Sequence, residues 1–202
     1  MDTTGRVLRN VEVVTLPDHV SFTPDKKTIL VAGEGEPICS LENANTPATE
    51  KSDPTLVSDA NGTVSLIDVS NGAVSATVTV LDFSAFDKTA LLAENVRVFF
   101  TGSSAAQDLE PEYITTNAAG TRAYVTLQEA NAIATIDLAS ASVKSIAALG
   151  FKDFGLAGNE LDVSDKDNKL QFKKWTAVKG MYQPDSIAAY QWQQQDWLVT
   201  AN

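Results

Sequence analysis

A repeated motif limits the folds that this chain can adopt. Each of three copies is a proline followed by an acid, any residue and a β-branched residue, at Pro17–Val20, Pro111–Ile114 and Pro184–Ile187. An apolar run follows each copy at nearly constant spacing, at Thr28–Ala32, Arg122–Thr126 and Asp196–Thr200. Such self-similarity indicates one small structural unit that packs against its own copies.

The first two copies continue into two further strands. Gly62–Asp68 and Asn131–Asp137 alternate apolar and polar residues and end in Ile-Asp, and the apolar runs 74–80 and 143–149 follow after turn residues. Four short strands joined by tight turns make the blade of a β-propeller. The sequence therefore predicts an all-β fold, a β-propeller segment of four-stranded antiparallel blades with long inter-strand insertions.

The repeat also sets the predicted boundaries. Two full blades are expected at about 17–80 and 111–149, partial blades at 6–14 and 184–202, and insertions at 37–61, 81–110 and 150–183. The second strand of each full blade should be central, so Ile29–Val31 and Tyr124–Val125 should be buried at equivalent positions. Helical spacing of apolar residues is confined to Phe86–Asn95.

Two full blades are too few to close a propeller, which needs about four to eight. Unpaired strand edges recruit other strands. We therefore expect the 202 residues to be a segment of a longer polypeptide, or to be completed by another protein chain through strand addition.

Composition excludes several classes of function. The 26 acidic residues outnumber 15 basic ones, for a net charge of −11, which disfavours nucleic-acid partners. No apolar run is long enough for membrane insertion, and no signal peptide is present in this chain. A single cysteine and a single histidine exclude an internal disulfide, a cysteine-based zinc site and any scheme that needs two imidazoles. His19 lies in a strand pattern and is predicted to be structural.

Carboxylates are the chemically suggestive side chains. Glu34 and Glu36 follow the second strand of the first unit, and Glu129 follows the equivalent strand of the second. Glu110 and Glu112 stand at the entrance to the second blade, so repeat symmetry predicts a ring of acids. Hard oxygen ligands in this number suit Ca²⁺. The alternative is that these acids cap turns and keep the surface soluble.

A second group of acids, Asp162, Asp165 and Asp167, lies in the third insertion. Acids at nearly alternate positions of a loop can converge on one Ca²⁺, although the glycine and glutamate of an EF-hand are absent. The alternative is an Asx-turn loop with solvated charges.

Several motifs together resemble the choice-of-anchor I propeller domain. They are Gly33–Pro37, Asp108–Tyr113, Ala123–Glu129, Leu161–Asp167 and Gly180–Asp185. That family includes proteins labelled mesenchyme-specific cell surface glycoprotein and some described as alkaline-phosphatase-like. The resemblance implies an extracellular, periplasmic or cell-surface protein with a seven-bladed or similar propeller. Phe154 stands where many members carry a histidine, which removes a possible ligand.

Two functions follow from these observations. The first is a non-catalytic extracellular or cell-surface module for protein or ligand binding and adhesion, with its long insertions as the contact surface. The second is a calcium-dependent phosphoester hydrolase, in which clustered carboxylates hold Ca²⁺ ions that bind phosphate and activate water. The scarcity of Lys, Arg and His near the acids favours the first, because phosphate sites usually recruit cationic side chains.

Overall fold

The computed structural model of this chain describes residues 1, 3–40, 55–99 and 102–202. Regular structure in these residues is mostly β-strand, which confirms the predicted all-β class. Within the described residues, no helix has the length and apolar composition that crossing a bilayer requires.

Two four-stranded antiparallel sheets form the body of the fold. Blade 1 contains, in spatial order, β1 (Pro17–Phe22), β2 (Thr28–Gly33), β5 (Thr63–Asp68) and β6 (Thr77–Asp82). Blade 2 contains β7 (Pro111–Thr116), β8 (Arg122–Leu127), β9 (Ala132–Asp137) and β10 (Ser142–Ala148). In both blades each strand pairs with the preceding strand of its own sheet, which is the up-and-down order of a propeller blade.

Shorter elements lie outside the two blades. The first insertion contains β3 (Ile38–Ser40) and β4 (Thr55–Ser58), and the part of this insertion at 41–54 lies outside the described residues. The second contains α1 (Lys88–Ala93), within the segment that the apolar spacing predicts, and α2 (Ala105–Asp108). The third contains β11 (Phe151–Asp153) and β12 (Lys179–Met181), and the last repeat forms a hairpin of β13 (Ser186–Trp192) and β14 (Gln195–Ala201).

The N-terminal segment differs from the sequence prediction. Residues 6–14 were expected to form the last strand of a preceding blade, but the structure contains no strand there. Val11 and Val13 instead pack against an apolar cluster on blade 1. The Arg9 guanidinium donates to the carbonyl oxygens of Val74 at 2.9 Å and Ala76 at 2.7 Å. Side-chain contacts therefore hold this segment against blade 1, and it does not pair with the blade as a β-strand.

The second strand of each blade is central, as predicted. β2 pairs with β1 and β5, and β8 pairs with β7 and β9. Leu30, Val31, Tyr124 and Val125 are buried, and Ile29 is half-buried. Leu30 and Val125 belong to the main core between the blades, and Tyr124 packs with Ile187 of β13. Each sheet thus buries both faces of its central strand against its neighbours.

The first strands of the repeats lie side by side. β7 contacts β1 on one side and β13 on the other. His19 on β1 bridges to β7, since its Nδ1 accepts the backbone N–H of Ile114 at 3.2 Å and its ring stacks on Tyr113 with centroids 3.7 Å apart. The prediction of a structural histidine is therefore confirmed, with the added role of joining two blades.

The His19 bond predicts a pH-dependent contribution to stability. Burial lowers the pKa of His19 below its usual 6.5, and the charge of Asp18 opposes this shift only in part. Only the neutral ring accepts at Nδ1, so the bond contributes fully above pH 6.5 and is lost as the pH falls below that value. His19→Gln removes this titration. We expect the stability advantage of the native chain over His19→Gln, about 1 kcal/mol at pH 7.5, to shrink by pH 5 in urea denaturation. A difference that stays constant with pH contradicts the prediction.

Gly62 marks the close approach of blade 1 to the entrance of blade 2. Its N–H donates to the carbonyl oxygen of Ala106 at 2.8 Å. A Cβ atom at Gly62 would overlap the carbonyl oxygen of Leu109 and lie 2.6 Å from Cδ of Pro111. We expect Gly62→Ala to destabilise the chain by about 3 kcal/mol, because backbone must move.

Gly180→Ala is the matched control. Its Cβ would approach the Phe154 ring at 2.9 Å, and that ring is the end of a side chain that can rotate away. We expect a loss below about 1 kcal/mol in the same urea titration. Equal losses for the two variants would show that backbone crowding at Gly62 is not the cause.

Candidate functional site

The strand order brings acids from both blades to one end of the sheets. Asp18 and Glu112 are the second residues of β1 and β7, and Glu34 and Glu129 follow shortly after the ends of β2 and β8. Antiparallel pairing places the end of each second strand beside the start of the first, with Pro17 opposite Gly33 and Pro111 opposite Leu127. Since β1 and β7 are neighbours, the two sets of acids meet.

We call Glu34, Glu110, Glu112 and Glu129 the axial acid cluster. Burial raises the pKa of Glu110 to about 8, and the charges of Glu129 and Glu34 add to the rise. Burial raises the pKa of Glu112 to about 8 as well, with further contributions from Glu129 and Glu34. Burial also raises the pKa of Glu34, followed by the charge of Glu36. Carboxylates that repeat symmetry predicts to lie near one another thus raise one another's pKa values in the folded chain.

Acids from all three repeats act on this cluster. The charges of Asp18 in the first repeat and Asp185 in the third also raise the pKa of Glu112. These three residues occupy the same position of the Pro-acid motif. The motif therefore places one carboxylate of each unit at the start of its first strand, and these first strands, β1, β7 and β13, are neighbours.

Glu110 is the most buried member of the cluster. The residue is 8% exposed. Oε2 of Glu129 is buried without a hydrogen-bond partner among the described residues. Both side chains line a cavity of about 40 Å³, together with Arg97, Phe99 and Asp108. A largely buried acid and a buried carboxylate oxygen thus face a space large enough for a water molecule or a small cation.

Two polar neighbours, Arg97 and Asp108, fix the walls of this cavity. Arg97 donates from its guanidinium to the backbone oxygen of Glu129 at 3.1 Å and stacks over Phe99, with Cζ 4.3 Å from the ring centroid. Asp108 accepts the backbone N–H of Phe99 through Oδ2.

Glu112, another member of the cluster, has a polar partner outside the cavity. The Gln128 amide nitrogen, in the orientation that satisfies its surroundings, donates to Oε1 of Glu112 at 2.8 Å.

The acids of the third insertion are engaged differently. Asp162 accepts the backbone N–H groups of Ser164 at 3.4 Å and Gln171 at 3.0 Å, and Asp167 accepts that of Lys169 at 3.0 Å. The bonds from Ser164 and Lys169, each two residues beyond the aspartate, are the Asx-turn bonds of the alternative interpretation, and the bond from Gln171 ties the two ends of the loop together. They do not test whether Asp162, Asp165 and Asp167 also bind a cation.

As the described side chains stand, no group of three or more His, Cys, Asp or Glu residues is arranged to hold a metal ion. Glu36, which raises the pKa of Glu34 through its charge, is exposed at the border of the axial acid cluster. A metal role for any of the acids predicted from the sequence remains a prediction.

Sequence reasoning missed three residues that contribute to the site. Asp59 and Asp108 both add to the rise in the pKa of Glu110. Asp59 lies in the first insertion, outside the repeat, so no symmetry argument could place it. Arg97 lies in the second insertion and reaches the cavity through the fold alone. Asp108 is the first residue of the Asp108–Tyr113 motif, but nothing in the sequence indicated its role beside Glu110.

Comparisons with known proteins agree with the resemblance seen in the sequence. The family model of the choice-of-anchor I domain matches residues 1–202, the whole chain. No curated protein matches the chain significantly. Among solved structures, a chain of Kuenenia stuttgartiensis hydrazine synthase is similar with a TM-score of 0.39 and 14% sequence identity. The match covers 92% of this chain and 45% of that one, so this chain spans less than half of its length.

The raised pKa values predict how stability changes with pH. An unfolded glutamate loses its proton near pH 4.5, whereas Glu110 and Glu112 in the folded chain keep theirs to about pH 8. The folded state holds more protons between these values, so their contribution to stability falls as the pH rises through this window. We expect the melting temperature to fall between pH 7 and pH 9, where His19 is neutral in both states.

Glu110→Gln tests this assignment. The neutral amide removes the buried charge, so at pH 9 we expect this variant to be more stable than the native chain by about 1–2 kcal/mol, after solvent screening is allowed for. At pH 5 the two should be similar. Glu12→Gln, at an exposed acid, is the control and should leave stability unchanged at both pH values. A Glu110→Gln variant that is less stable than the native chain at pH 9 contradicts the prediction.

Proposed function

The chain belongs to the choice-of-anchor I domain family, a family of cell-surface-associated modules, and we propose that it is a non-catalytic binding module that takes Ca²⁺ at the axial acid cluster. Its working environment is then extracellular, where Ca²⁺ is abundant enough for weak sites. Binding and adhesion are its role in this proposal.

The observation that carries the proposal is a buried carboxylate oxygen without a partner beside a second, largely buried acid. Oε2 of Glu129 has no hydrogen-bond partner among the described residues, and it shares a cavity with Glu110, which is 8% exposed. Buried polar groups are normally hydrogen-bonded, and an isolated buried carboxylate is strongly unfavourable. Below about pH 8 a bound proton neutralises Glu110. One bound cation neutralises two or more carboxylates at once.

Ca²⁺ fits this donor set better than other common cations. The cluster offers carboxylate oxygens, and Ca²⁺ accepts six to eight oxygen ligands in flexible geometry at about 2.3–2.6 Å. Mg²⁺ demands near-octahedral geometry, and zinc prefers nitrogen and sulfur ligands.

The few basic side chains around this cavity, within the part of the chain that the structure describes, support a non-catalytic role. Arg97 is the basic residue that lines the cavity, and its guanidinium already bonds a backbone oxygen and covers the Phe99 ring. Phosphate sites usually combine metal ions with free Arg or Lys donors. The net charge of −11 also repels a phosphoester before any metal is bound.

Calcium titration of the chelator-treated chain tests the proposal. At pH 8.5 we expect saturable heat in calorimetry, and at a hundredfold excess of Ca²⁺ over its dissociation constant a stabilisation of about 2.7 kcal/mol. Binding should weaken at least tenfold at pH 5.5, because protons then compete for Glu110 and Glu112. Glu110→Gln and Glu129→Gln should each weaken binding at least tenfold.

Two controls separate the candidate sites. Glu12→Gln should bind Ca²⁺ like the native chain, and Asp165→Asn reports on the loop of the third insertion. Loss of binding in Asp165→Asn but not in Glu110→Gln would move the site to that loop. A flat titration at pH 8.5 with an unchanged melting temperature overturns calcium binding. Chelator-sensitive hydrolysis of a chromogenic phosphoester overturns the non-catalytic role and favours the hydrolase.

A further inference from the structure

The loop that leads into β5 contains a triplet of residues with a specific chemistry. Asn61, Gly62 and Thr63 form the one Asn-x-Ser/Thr triplet of the sequence in which x is not proline. Such a triplet is the acceptor for N-linked glycosylation in proteins that cross a secretory membrane. The family of this chain consists of cell-surface-associated modules, which are exported across such a membrane.

Thr63 carries a hydroxyl group that the fold does not use. It is the first residue of β5, is 5% exposed and pairs with Gly33 of β2 on one side and Asp82 of β6 on the other. Its Oγ1 is buried and has no hydrogen-bond partner among the described residues. A buried hydroxyl without a partner costs free energy, whereas valine has the same shape and carries no polar side-chain atom.

The repeat shows that a blade does not need a hydroxyl at this place. Thr63 in β5 and Ala132 in β9 are the first residues of the third strands of their blades, and each pairs with the last residue of the second strand. Ala132 is fully buried and has no polar side-chain atom. Blade 2 is therefore built with an apolar residue where blade 1 has Thr63.

Asn61 has the exposure that a glycan requires. It precedes β5 and is exposed to solvent. Hydrogen bonds from Ser84 chiefly lower the pKa of Asp82, and a bond from the Asn61 side chain adds to this effect. Because a carboxylate only accepts, Nδ2 of Asn61 is the donor, and it carries two hydrogens. A glycan replaces one of them and leaves the other for Asp82.

The folded chain holds this triplet too tightly for an enzyme to take it up. The N–H of Gly62 donates to the carbonyl oxygen of Ala106 at 2.8 Å, and a Cβ atom at Gly62 would overlap the carbonyl oxygen of Leu109. Thr63 is paired on both sides. A transferase must bind the triplet in its own active site, so transfer has to come before this part of blade 1 packs against the entrance of blade 2.

We propose that Asn61 is an N-glycosylation site, which is modified during export while the chain is unfolded. Nδ2 of Asn61 attacks the anomeric carbon of an oligosaccharide carried on a polyprenyl diphosphate. A C–N bond forms, the C–O bond to the diphosphate breaks, the polyprenyl diphosphate leaves with the electrons of that bond, and Nδ2 loses one proton to a base. The transferase recognises the hydroxyl of Thr63, the group that the fold leaves without a partner.

The glycan would stand beside the axial acid cluster. Gly35 packs against the backbone of Asn61, since a Cβ atom at Gly35 would lie 2.8 Å from the carbonyl carbon and oxygen of Asn61. Glu34 and Glu36 flank Gly35 in the sequence. A bulky, hydrated glycan therefore adds solubility at the border of this cluster. The proposal does not depend on calcium binding there.

Export of the full chain from a eukaryotic cell, directed by a cleavable signal peptide, tests the proposal. We expect the secreted native chain to carry a glycan at Asn61. An amidase that removes the glycan in heavy-oxygen water should leave an aspartate with one heavy oxygen in place of Asn61, which mass spectrometry detects. Thr63→Ser should keep the glycan, whereas Asn61→Gln and Thr63→Val should lower its occupancy at least tenfold.

A second Asn-Gly pair is the matched control. Asn71, Gly72 and Ala73 are exposed and lack the hydroxyl two residues after the asparagine. Asn71 should therefore stay unmodified in the native chain. Ala73→Thr completes the triplet and should add a glycan at Asn71, which shows that the transferase acts on this chain.

The stability of Thr63→Val separates recognition from a structural role. In the chain produced without export, we expect this variant to raise the melting temperature by about 2–4 °C, because it removes a buried hydroxyl that has no partner. A purified transferase with its lipid-linked donor should modify a peptide of residues 55–67 at least tenfold faster than the folded full chain.

Four results overturn the proposal. The first is an exported native chain without a glycan at Asn61. The second is equal glycosylation of the native chain and Thr63→Val. A lowered melting temperature in Thr63→Val is the third, because the fold would then use the hydroxyl. The fourth is transfer to the folded chain as fast as to the peptide, which would show that modification does not have to come before folding.

Discussion

The packing of blade 1 against blade 2 is the interaction on which the rest of the structure depends. Leu30 on β2 and Val125 on β8 are fully buried in one core, and the backbone at Gly62 packs closely against the backbone at Leu109. This packing sets β1 beside β7, where His19 joins them. It thereby fixes where the acids at the ends of these strands meet.

The same packing generates the chemistry of the candidate site. A close approach of β1 and β7 removes Glu110 from water and leaves Glu34, Glu112 and Glu129 within reach of one another's charge. Hydrophobic burial of the blade faces supplies the free energy that keeps these carboxylates together, since their mutual repulsion opposes folding once they ionise. A module that is stabilised by a proton or a cation at this place links its folded state to its ionic surroundings.

The repeat also explains why two surfaces of different character lie on one small fold. At the converging ends of the first strands, each unit contributes an acid, and the charges accumulate. On the faces of the sheets each unit contributes apolar side chains, which are covered when a neighbour is present, as for Tyr124, and exposed when none is described, as for Val199. Accumulated charge and apolar packing are therefore properties of different parts of the same unit.

The sequence alone determined the all-β class, the two blades and the equivalence of their strands, because these follow from local alternation and from spacing along the chain. It also predicted that Glu34, Glu112 and Glu129 lie near one another, because the repeat gives them equivalent positions at the ends of neighbouring strands. Only the tertiary structure decided that residues 6–14 pack through side chains without a strand, since no local pattern records whether a partner strand is near. It likewise decided that the charge of Asp59 acts on Glu110 and that Arg97 lines the cavity beside Glu110, because contacts between distant segments depend on how the blades pack.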